Sequence, residues 1–171
     1  MKKNIAILIL FIIVILGIIY FTTLSSNPSA PLDPLPTPST QTVSLYYYSK
    51  SLDQDETGNI MCSEKGMVAV ERIISDSKTT IDDTIRLLIK GELTSNEINQ
   101  GISTEYPLPG FEFVKSDLEN GILTITFNDP QFKTSGGACR VQILQHQIER
   151  TAKQFNEVSE VIIKPSDIFQ P

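Results

Sequence analysis

From residue 43 onward, the hydrophobic and polar positions change period several times, and each period predicts a different kind of element. The segment VSLYYYS at 43–49 has high β-propensity, and GMVAVERII at 66–74 alternates between two faces, so both are predicted strands. FEFVK at 111–115 and ILTITFN at 122–128 flank Asn120-Gly121, a dipeptide that favours a two-residue hairpin turn. These four segments predict four strands, of which the last two form a hairpin.

Two longer segments repeat their apolar residues at helical spacing. The first is TTIDDTIRLLIKG, in which Thr80 and Asp83 form a capping box and Gly91 ends the helix. The second lies within GGACRVQILQHQIERTAKQF at 136–155 and is expected to face a sheet. The apolar stripes consist of Ile81, Ile85, Leu88 and Ile89 in the first helix and Val141, Leu144, Ile148, Ala152 and Phe155 in the second.

A shorter helical turn is predicted within LTSNEINQG, where Thr94 and Glu97 form a second capping box and Gly101 ends the turn. A last strand is predicted within VSEVIIK at 158–164. The order of elements is therefore β-β-α-(α)-β-β-α-β. We expect an α+β fold in which two main helices pack on one face of a mixed β-sheet, after an N-terminal transmembrane helix.

That transmembrane helix is predicted because residues 5–21 are free of charge and follow two lysines. With the next residues the span approaches the ~20 residues that cross a hydrocarbon core. A cleaved signal peptide is the alternative, but the best local cleavage site, NPSAP, places Pro31 directly after the cut. We interpret residues 1–24 as a cytoplasmic tip and a single-pass anchor, which leaves the rest of the chain outside the cytoplasm.

Residues 25–42 hold five of the ten prolines and are predicted to form an extended stalk. The boundary of the extracytoplasmic domain is placed at residue 43, so that the domain covers 43–171. Beyond the two N-terminal lysines, 12 basic residues stand against 20 acidic ones, a net charge of −8. We expect this charge to repel nucleic acid and anionic lipid headgroups.

An ordered series of motifs in 43–171 resembles the GerMN domain, a module of sporulation and spore-germination proteins. The series runs VAVERII, LLIKG, NEINQG, ILTITF, GGACR, QIERTAKQF and DIFQP. The residues that carry the resemblance are Arg72, Gly91, Glu97, Gly101, Gly136 and Gly137. The most similar subgroup also has a cysteine shortly before the strand of Arg72, where this chain has Cys62.

The resemblance implies a non-catalytic module without a cofactor, because GerMN domains are not known as enzymes. It implies anchoring to the cell membrane and partners among envelope proteins or second copies of the chain. Two alternatives stay open. The domain could bind peptidoglycan fragments through exposed tyrosines at 46–48, although alternate tyrosines on a strand more often divide between the core and the surface. It could also hydrolyse wall material with a free Cys139 or an unpaired carboxylate.

A catalytic dyad of Cys139 with His146, the only histidine, is excluded within a straight helix. The two residues would lie ~10.5 Å apart along the axis, whereas a general base must lie within ~3 Å of the proton it takes. His146 stands between two glutamines and is expected to be solvated.

Two cysteines outside the cytoplasm are expected to pair where geometry allows, so a disulfide between Cys62 and Cys139 is the favoured interpretation. It requires Cys139 to lie at or before the first helical turn, which Gly136-Gly137 permit.

The segment DQDETGNIMCSE at 53–64 also fits the twelve-residue pattern of a calcium-binding loop, with Gly58 at the sixth position. The candidate ligands are Asp53, Asp55, Thr57, Asn59 and Glu64. An EF-hand has a helix on each side of this loop, whereas both flanks here are predicted strands. The favoured interpretation of the segment is therefore an acidic hairpin loop without calcium.

Overall fold

The structure is a computed structural model that describes residues 12–20 and 39–171. The chain divides into two compact units, Met1–Thr37 and Pro38–Pro171. In the first unit, residues 12–20 are helical. Over the described ranges, no helix combines the length and the apolar character that crossing a membrane requires. Most of the predicted anchor at 1–24 and most of the predicted stalk at 25–42 lie outside the described residues, and both stay predictions. Residues 40–42 belong to the first strand, Thr40–Ser49, so the predicted domain boundary at residue 43 is too late.

The second unit contains the elements that the sequence pattern predicts, together with one additional two-residue strand and two short 3-10 helices, Lys50–Leu52 and Glu64–Gly66. Apart from the two 3-10 helices, the elements in chain order are β1 (Thr40–Ser49), β2 (Met67–Ser75), α1 (Thr80–Ile89), α2 (Ser95–Asn99), β3 (Ile102–Ser103), β4 (Glu112–Glu119), β5 (Ile122–Asn128), α3 (Ala138–Ala152) and β6 (Glu160–Lys164). The α+β class is confirmed.

The strands form two three-stranded sheets rather than one mixed sheet, so this part of the prediction is wrong. In the first sheet, β1 lies between β2 and β3 and is antiparallel to both. In the second, β5 is antiparallel to β4 and parallel to β6. The alternation of residues along a strand determines which face is buried, but it does not determine which strand lies alongside.

Both main helices contact β1 and β2 as well as each other, and α1 also contacts β4 of the second sheet. Their apolar stripes join the inner faces of the strands in one core cluster. The side chains that are almost fully buried there are Leu45, Tyr47, Ile85, Leu88, Leu123, Ile125, Leu144 and Ile148.

Two of the three short-range predictions, the hairpin turn and the second capping box, are confirmed. Asn120 and Gly121 both have positive φ, at 51° and 85°, and join β4 to β5 by a two-residue turn. The capping box of Thr94 and Glu97 is present with both of its hydrogen bonds. The predicted capping box of Thr80 and Asp83 at α1 is wrong. The N-cap residue is Thr79, which makes no side-chain cap hydrogen bond, although its hydroxyl donates to the Asp83 carboxylate.

The end of α3 closes part of the edge of β1. Gln154 accepts a hydrogen bond from the Ser44 N–H and donates one to the Ser44 carbonyl, each at 2.7 Å. Two residues along β1, the Tyr46 N–H donates to Thr151 Oγ1 at 3.0 Å. Because β3 pairs with β1 only at Tyr48 and Ser49, these side chains occupy the place of a strand partner.

Candidate functional site

The two cysteines join the loop before β2 to the first turn of α3. Cys62 and Cys139 form a disulfide with a Cα–Cα distance of 5.1 Å and a sequence separation of 77 residues. Cys139 is the second residue of α3, at the position that pairing was expected to require. Because both thiols are consumed, Cys139 is not available as a nucleophile.

The loop that carries Cys62 is organised by two carboxylates that accept hydrogen bonds from the loop itself. Asp53 is buried and accepts from the Tyr48 hydroxyl at 2.8 Å and from the Ser63 N–H at 2.9 Å. Burial alone would raise the pKa of Asp53, but the hydrogen bonds from Ser63 and Tyr48 outweigh it and lower the pKa. Asp53 therefore closes the loop as an ionised hydrogen-bond acceptor.

Asp55 organises the tip of the same loop. It accepts from the Thr57 hydroxyl at 2.7 Å, and from the N–H groups of Thr57 and Asn59 at 2.8 and 2.9 Å. These bonds, the Thr57 hydroxyl first, lower the pKa of Asp55 to about 2. The carboxylate oxygens of Asp53 and Asp55 that the calcium pattern would use already accept hydrogen bonds from the protein.

The five predicted calcium ligands are not brought to a common point. Asp55, Thr57 and Asn59 hydrogen-bond one another at the loop tip, while Asp53 turns towards Tyr48 and Ser63. Glu64 lies in a separate group, facing α3. The described residues therefore present these side chains as an acidic hairpin loop.

Glu64 lies close to His146 and Glu149 of α3. The sequence pattern did not predict that these three side chains come together. His146 Nδ1 lies 3.8 Å from Glu64 Oε1, and the ligand atoms of Glu64, His146 and Glu149 lie within 4.8 Å of one another. The expectation that His146 is solvated is wrong, since its Nδ1 is buried and its side chain is only 24% exposed. The disulfide brings about this contact, because Cys62 is two residues from Glu64.

Arg72 and Glu97, both singled out by the family resemblance, form a paired interaction between β2 and α2. The guanidinium also donates to the carbonyls of Glu71 and Glu92, each at 2.9 Å. Hydrogen bonding from Arg72 lowers the pKa of Glu97 to about 2, and hydrogen bonding to Glu97 raises the pKa of Arg72. Both terminal nitrogens of Arg72 and both carboxylate oxygens of Glu97 are thus used in holding the fold.

Gly91 and Gly101 both have positive φ, at +65° and +81°, but their surroundings differ. A Cβ on Gly91 would overlap the carbonyl of Tyr106, whereas a Cβ on Gly101 would meet no atom within 4 Å. Gly91 is therefore required by close backbone packing, and Gly101 by backbone conformation alone.

Hydrogen bonds from Arg140 hold the backbone just before Gly136-Gly137. The sequence pattern did not predict this role for Arg140. Arg140 donates to the carbonyls of Ser135 and Lys133 at 2.7 and 2.9 Å, and to the Glu105 carboxylate at 2.6 Å. Arg140 is the last residue of the family motif GGACR, but the motif alone does not indicate what this side chain contacts. Thr151 and Gln154, in the motif QIERTAKQF, were missed in the same way.

The three consecutive tyrosines do not form an exposed aromatic row. Tyr47 is fully buried and donates to the Leu88 carbonyl, and Tyr48 is 7% exposed and donates to Asp53. Tyr46 remains half-buried, with the Arg150 guanidinium 5.2 Å from its ring centroid. The expectation of an exposed sugar-binding groove at 46–48 is therefore wrong for Tyr47 and Tyr48.

Comparison with known proteins identifies one family and several solved structures that resemble this chain. The sequence profile of the family described as "Germane: Sporulation and spore germination" matches residues 44–164. The tandem GerMN domains of the sporulation protein GerM from Bacillus subtilis match with a TM-score of 0.53 and 20% identity, over 83% of this chain and 45% of that chain. The first GerMN domain of that protein matches with a TM-score of 0.47 and 20% identity, over 73% of this chain and 84% of that chain.

No curated protein matches the sequence significantly. The chain spans about half the length of the tandem structure, and at this identity the likeness shows a shared fold.

Proposed function

The chain belongs to the Germane family of sporulation and spore germination, and from this premise we propose that it is a non-catalytic interaction module of a cell-envelope assembly. The apolar segment at 5–21 anchors it in the cell membrane as a single-pass protein, with the N-terminus in the cytoplasm. The proline-rich stalk, which ends before β1 begins at Thr40, carries the domain on the outer side.

The observation that carries this proposal is the use of the family's motif residues within the fold. Arg72 and Glu97 pair with each other, and the space beside Gly91 is filled by the Tyr106 carbonyl. Both cysteines lie in a disulfide. These residues are committed to structure, so the family pattern in this chain supports a module that acts through its surface.

Strand β2 is the surface that we propose to meet a partner. Among the described strands it pairs only with β1. On its other edge the Glu71 carbonyl accepts a hydrogen bond from the Arg72 guanidinium, so an added strand would pair with the remaining main-chain groups of that edge. Ile73 on this strand is 76% exposed and offers an apolar side chain that a partner strand would cover. An extended segment of a partner envelope protein, added as a further strand, would satisfy both features.

Crosslinking in the parent cell tests the proposal. The full-length chain and its Ile73→Lys variant are expressed at equal levels, crosslinked, and isolated under denaturing conditions. We expect a discrete protein adduct with the wild-type chain and a reduced yield with the variant, because a charge on an edge strand disfavours strand addition. Absence of any adduct above the uncrosslinked background would contradict the interaction function.

A further inference from the structure

The group formed by Glu64, His146 and Glu149 contains a polar atom with no hydrogen-bond partner among the described residues. His146 Nδ1 is buried and makes no hydrogen bond. The nearest carboxylate oxygen, Glu64 Oε1, is 3.8 Å away, which exceeds the ~3.2 Å limit of a good hydrogen bond. Because buried polar atoms in folded proteins are almost always satisfied, this nitrogen requires a partner that residues 12–20 and 39–171 do not supply.

The spacing of the group suits a bound cation. Zn²⁺ takes imidazole nitrogen and carboxylate oxygen ligands at about 2.0 to 2.2 Å, so two tetrahedral ligand atoms lie about 3.4 Å apart. His146 Nδ1 and Glu64 Oε1 lie 3.8 Å apart, so a small side-chain movement would bring them to the separation of two Zn²⁺ ligand atoms. His146 and Glu149 are three residues apart on α3, so they present their side chains on the same face of the helix.

The neighbours of the group hold the ligands in place. Gln145 Nε2 donates to Glu149 Oε1 at 2.7 Å, which orients that carboxylate. The Cys62–Cys139 disulfide fixes the loop that carries Glu64 against α3. Arg150 lies over the Tyr46 ring, and its Nη1 is 4.0 Å from Glu64 Oε2, too far to satisfy the carboxylate by a hydrogen bond.

We propose that Glu64, His146 and Glu149 form a binding site for one divalent transition-metal ion, of which Zn²⁺ is the probe of choice. One imidazole and two carboxylates supply the nitrogen and oxygen ligands that Zn²⁺ accepts, and two negative charges balance its charge. The three protein ligands leave a fourth position for water.

The test uses the full-length chain without a histidine tag, oxidised and purified in mild detergent. Equilibrium dialysis against Zn²⁺ measures stoichiometry and affinity, and the visible absorption of Co²⁺ reports the ligand geometry. His146→Gln, Glu64→Gln and Glu149→Gln each remove one ligand with little change in side-chain size. Glu160→Gln, which changes an exposed carboxylate on β6, is the matched control.

We expect one Zn²⁺ per wild-type chain and a loss of affinity of at least about tenfold in each of the three site variants, with the control unchanged. Circular dichroism and a free-thiol count verify the fold and the disulfide of each variant. Absence of saturable Zn²⁺ binding by the wild-type chain would overturn the proposal, and this outcome does not depend on whether any variant folds. Equal affinity in correctly folded site variants and in the control would overturn it as well.

Discussion

Arg72 on β2 and Glu97 in the first turn of α2 face each other as a two-pronged ion pair. Arg72 Nη1 lies 2.7 Å from Glu97 Oε1, and Nη2 lies 2.9 Å from Glu97 Oε2. The same Oε2 accepts the Thr94 N–H at 2.7 Å and completes the cap of α2. One carboxylate thus starts a helix and ties it to a strand 25 residues away.

Replacing Glu97 by Gln should reveal the strength of this link. The variant keeps the shape of the side chain but leaves the half-buried Arg72 guanidinium without its charge partner, and we expect a loss of about 2 kcal/mol in the free energy of unfolding. Urea unfolding near neutral pH measures it. Glu71→Gln, which alters an exposed carboxylate on the same strand, should change stability by less than about 0.5 kcal/mol. Equal effects of the two substitutions would show that the pair contributes nothing specific.

The same pair predicts a pH dependence. Hydrogen bonding from Arg72 lowers the pKa of Glu97 from 4.5 to about 2 in the folded chain. A group with a lowered folded pKa stabilises the protein fully above its unfolded pKa and loses that contribution as pH falls through the folded pKa. The stability difference between wild type and Glu97→Gln should therefore be constant near neutral pH and shrink between about pH 5 and 2. A difference that stays constant through this acidic range would argue against the ion pair as its source.

Gly91 and Gly101 provide a matched pair of substitutions. Gly101→Ala adds a Cβ in open space at positive φ, and we expect a cost of about 1 kcal/mol from backbone conformation. Gly91→Ala has the same conformational cost and also forces its Cβ against the Tyr106 carbonyl, so we expect about 3 kcal/mol or more. Thermal and urea unfolding of both variants measure the difference. Similar losses would mean that the backbone near Tyr106 yields easily.

Among the interactions considered in these predictions, the disulfide should contribute most to the free energy of unfolding of the domain. Cys62 and Cys139 close a loop across 77 residues of sequence separation. Replacing both by Ala should lower the free energy of unfolding by about 4 kcal/mol on the chain-entropy model. Urea unfolding of the double variant against the oxidised wild type measures this loss. A loss below about 1 kcal/mol would indicate that the unfolded chain is already compact between these positions.

The edge of β1 offers a test by hydrogen exchange. Gln154→Leu retains the size of the side chain but leaves the Ser44 N–H and carbonyl without their partner. We expect faster exchange at Ser44 and a loss of about 2 kcal/mol in stability. Gln142→Leu, at an exposed position of α3, is the control. Unchanged protection of the Ser44 amide in the Gln154 variant would contradict the role assigned to this side chain.

Local patterns predicted most of the elements because each depends on neighbouring residues. The turn at Asn120-Gly121 and the capping box of Thr94 and Glu97 are formed within four residues of sequence, and both are present. Apolar spacing likewise identified the buried faces of α1 and α3. The family resemblance marked Arg72 and Glu97, although their mutual contact was not foreseen.

The features that were missed depend on residues far apart in the chain. The division into two sheets follows from strand pairing, which alternation along one strand does not encode. The burial of His146 depends on Glu64, more than 80 residues earlier, and on the disulfide that positions it. Its neighbours Gln145 and Gln147 suggested solvent, yet Gln147 is fully buried and accepts a hydrogen bond from Thr104. A polar neighbour is therefore a weak indicator of exposure on a helix that packs on several sides.

The central claim, that this domain acts by binding a protein partner through β2, is tested most directly by site-specific photocrosslinking in the parent cell. A photoreactive side chain is introduced at Ile73 and, as a control, at Leu52, which is also well exposed but lies outside the sheets. The account predicts a discrete adduct to one envelope protein from Ile73 and none from Leu52. No adduct from Ile73, or equal adducts from both positions, would contradict it.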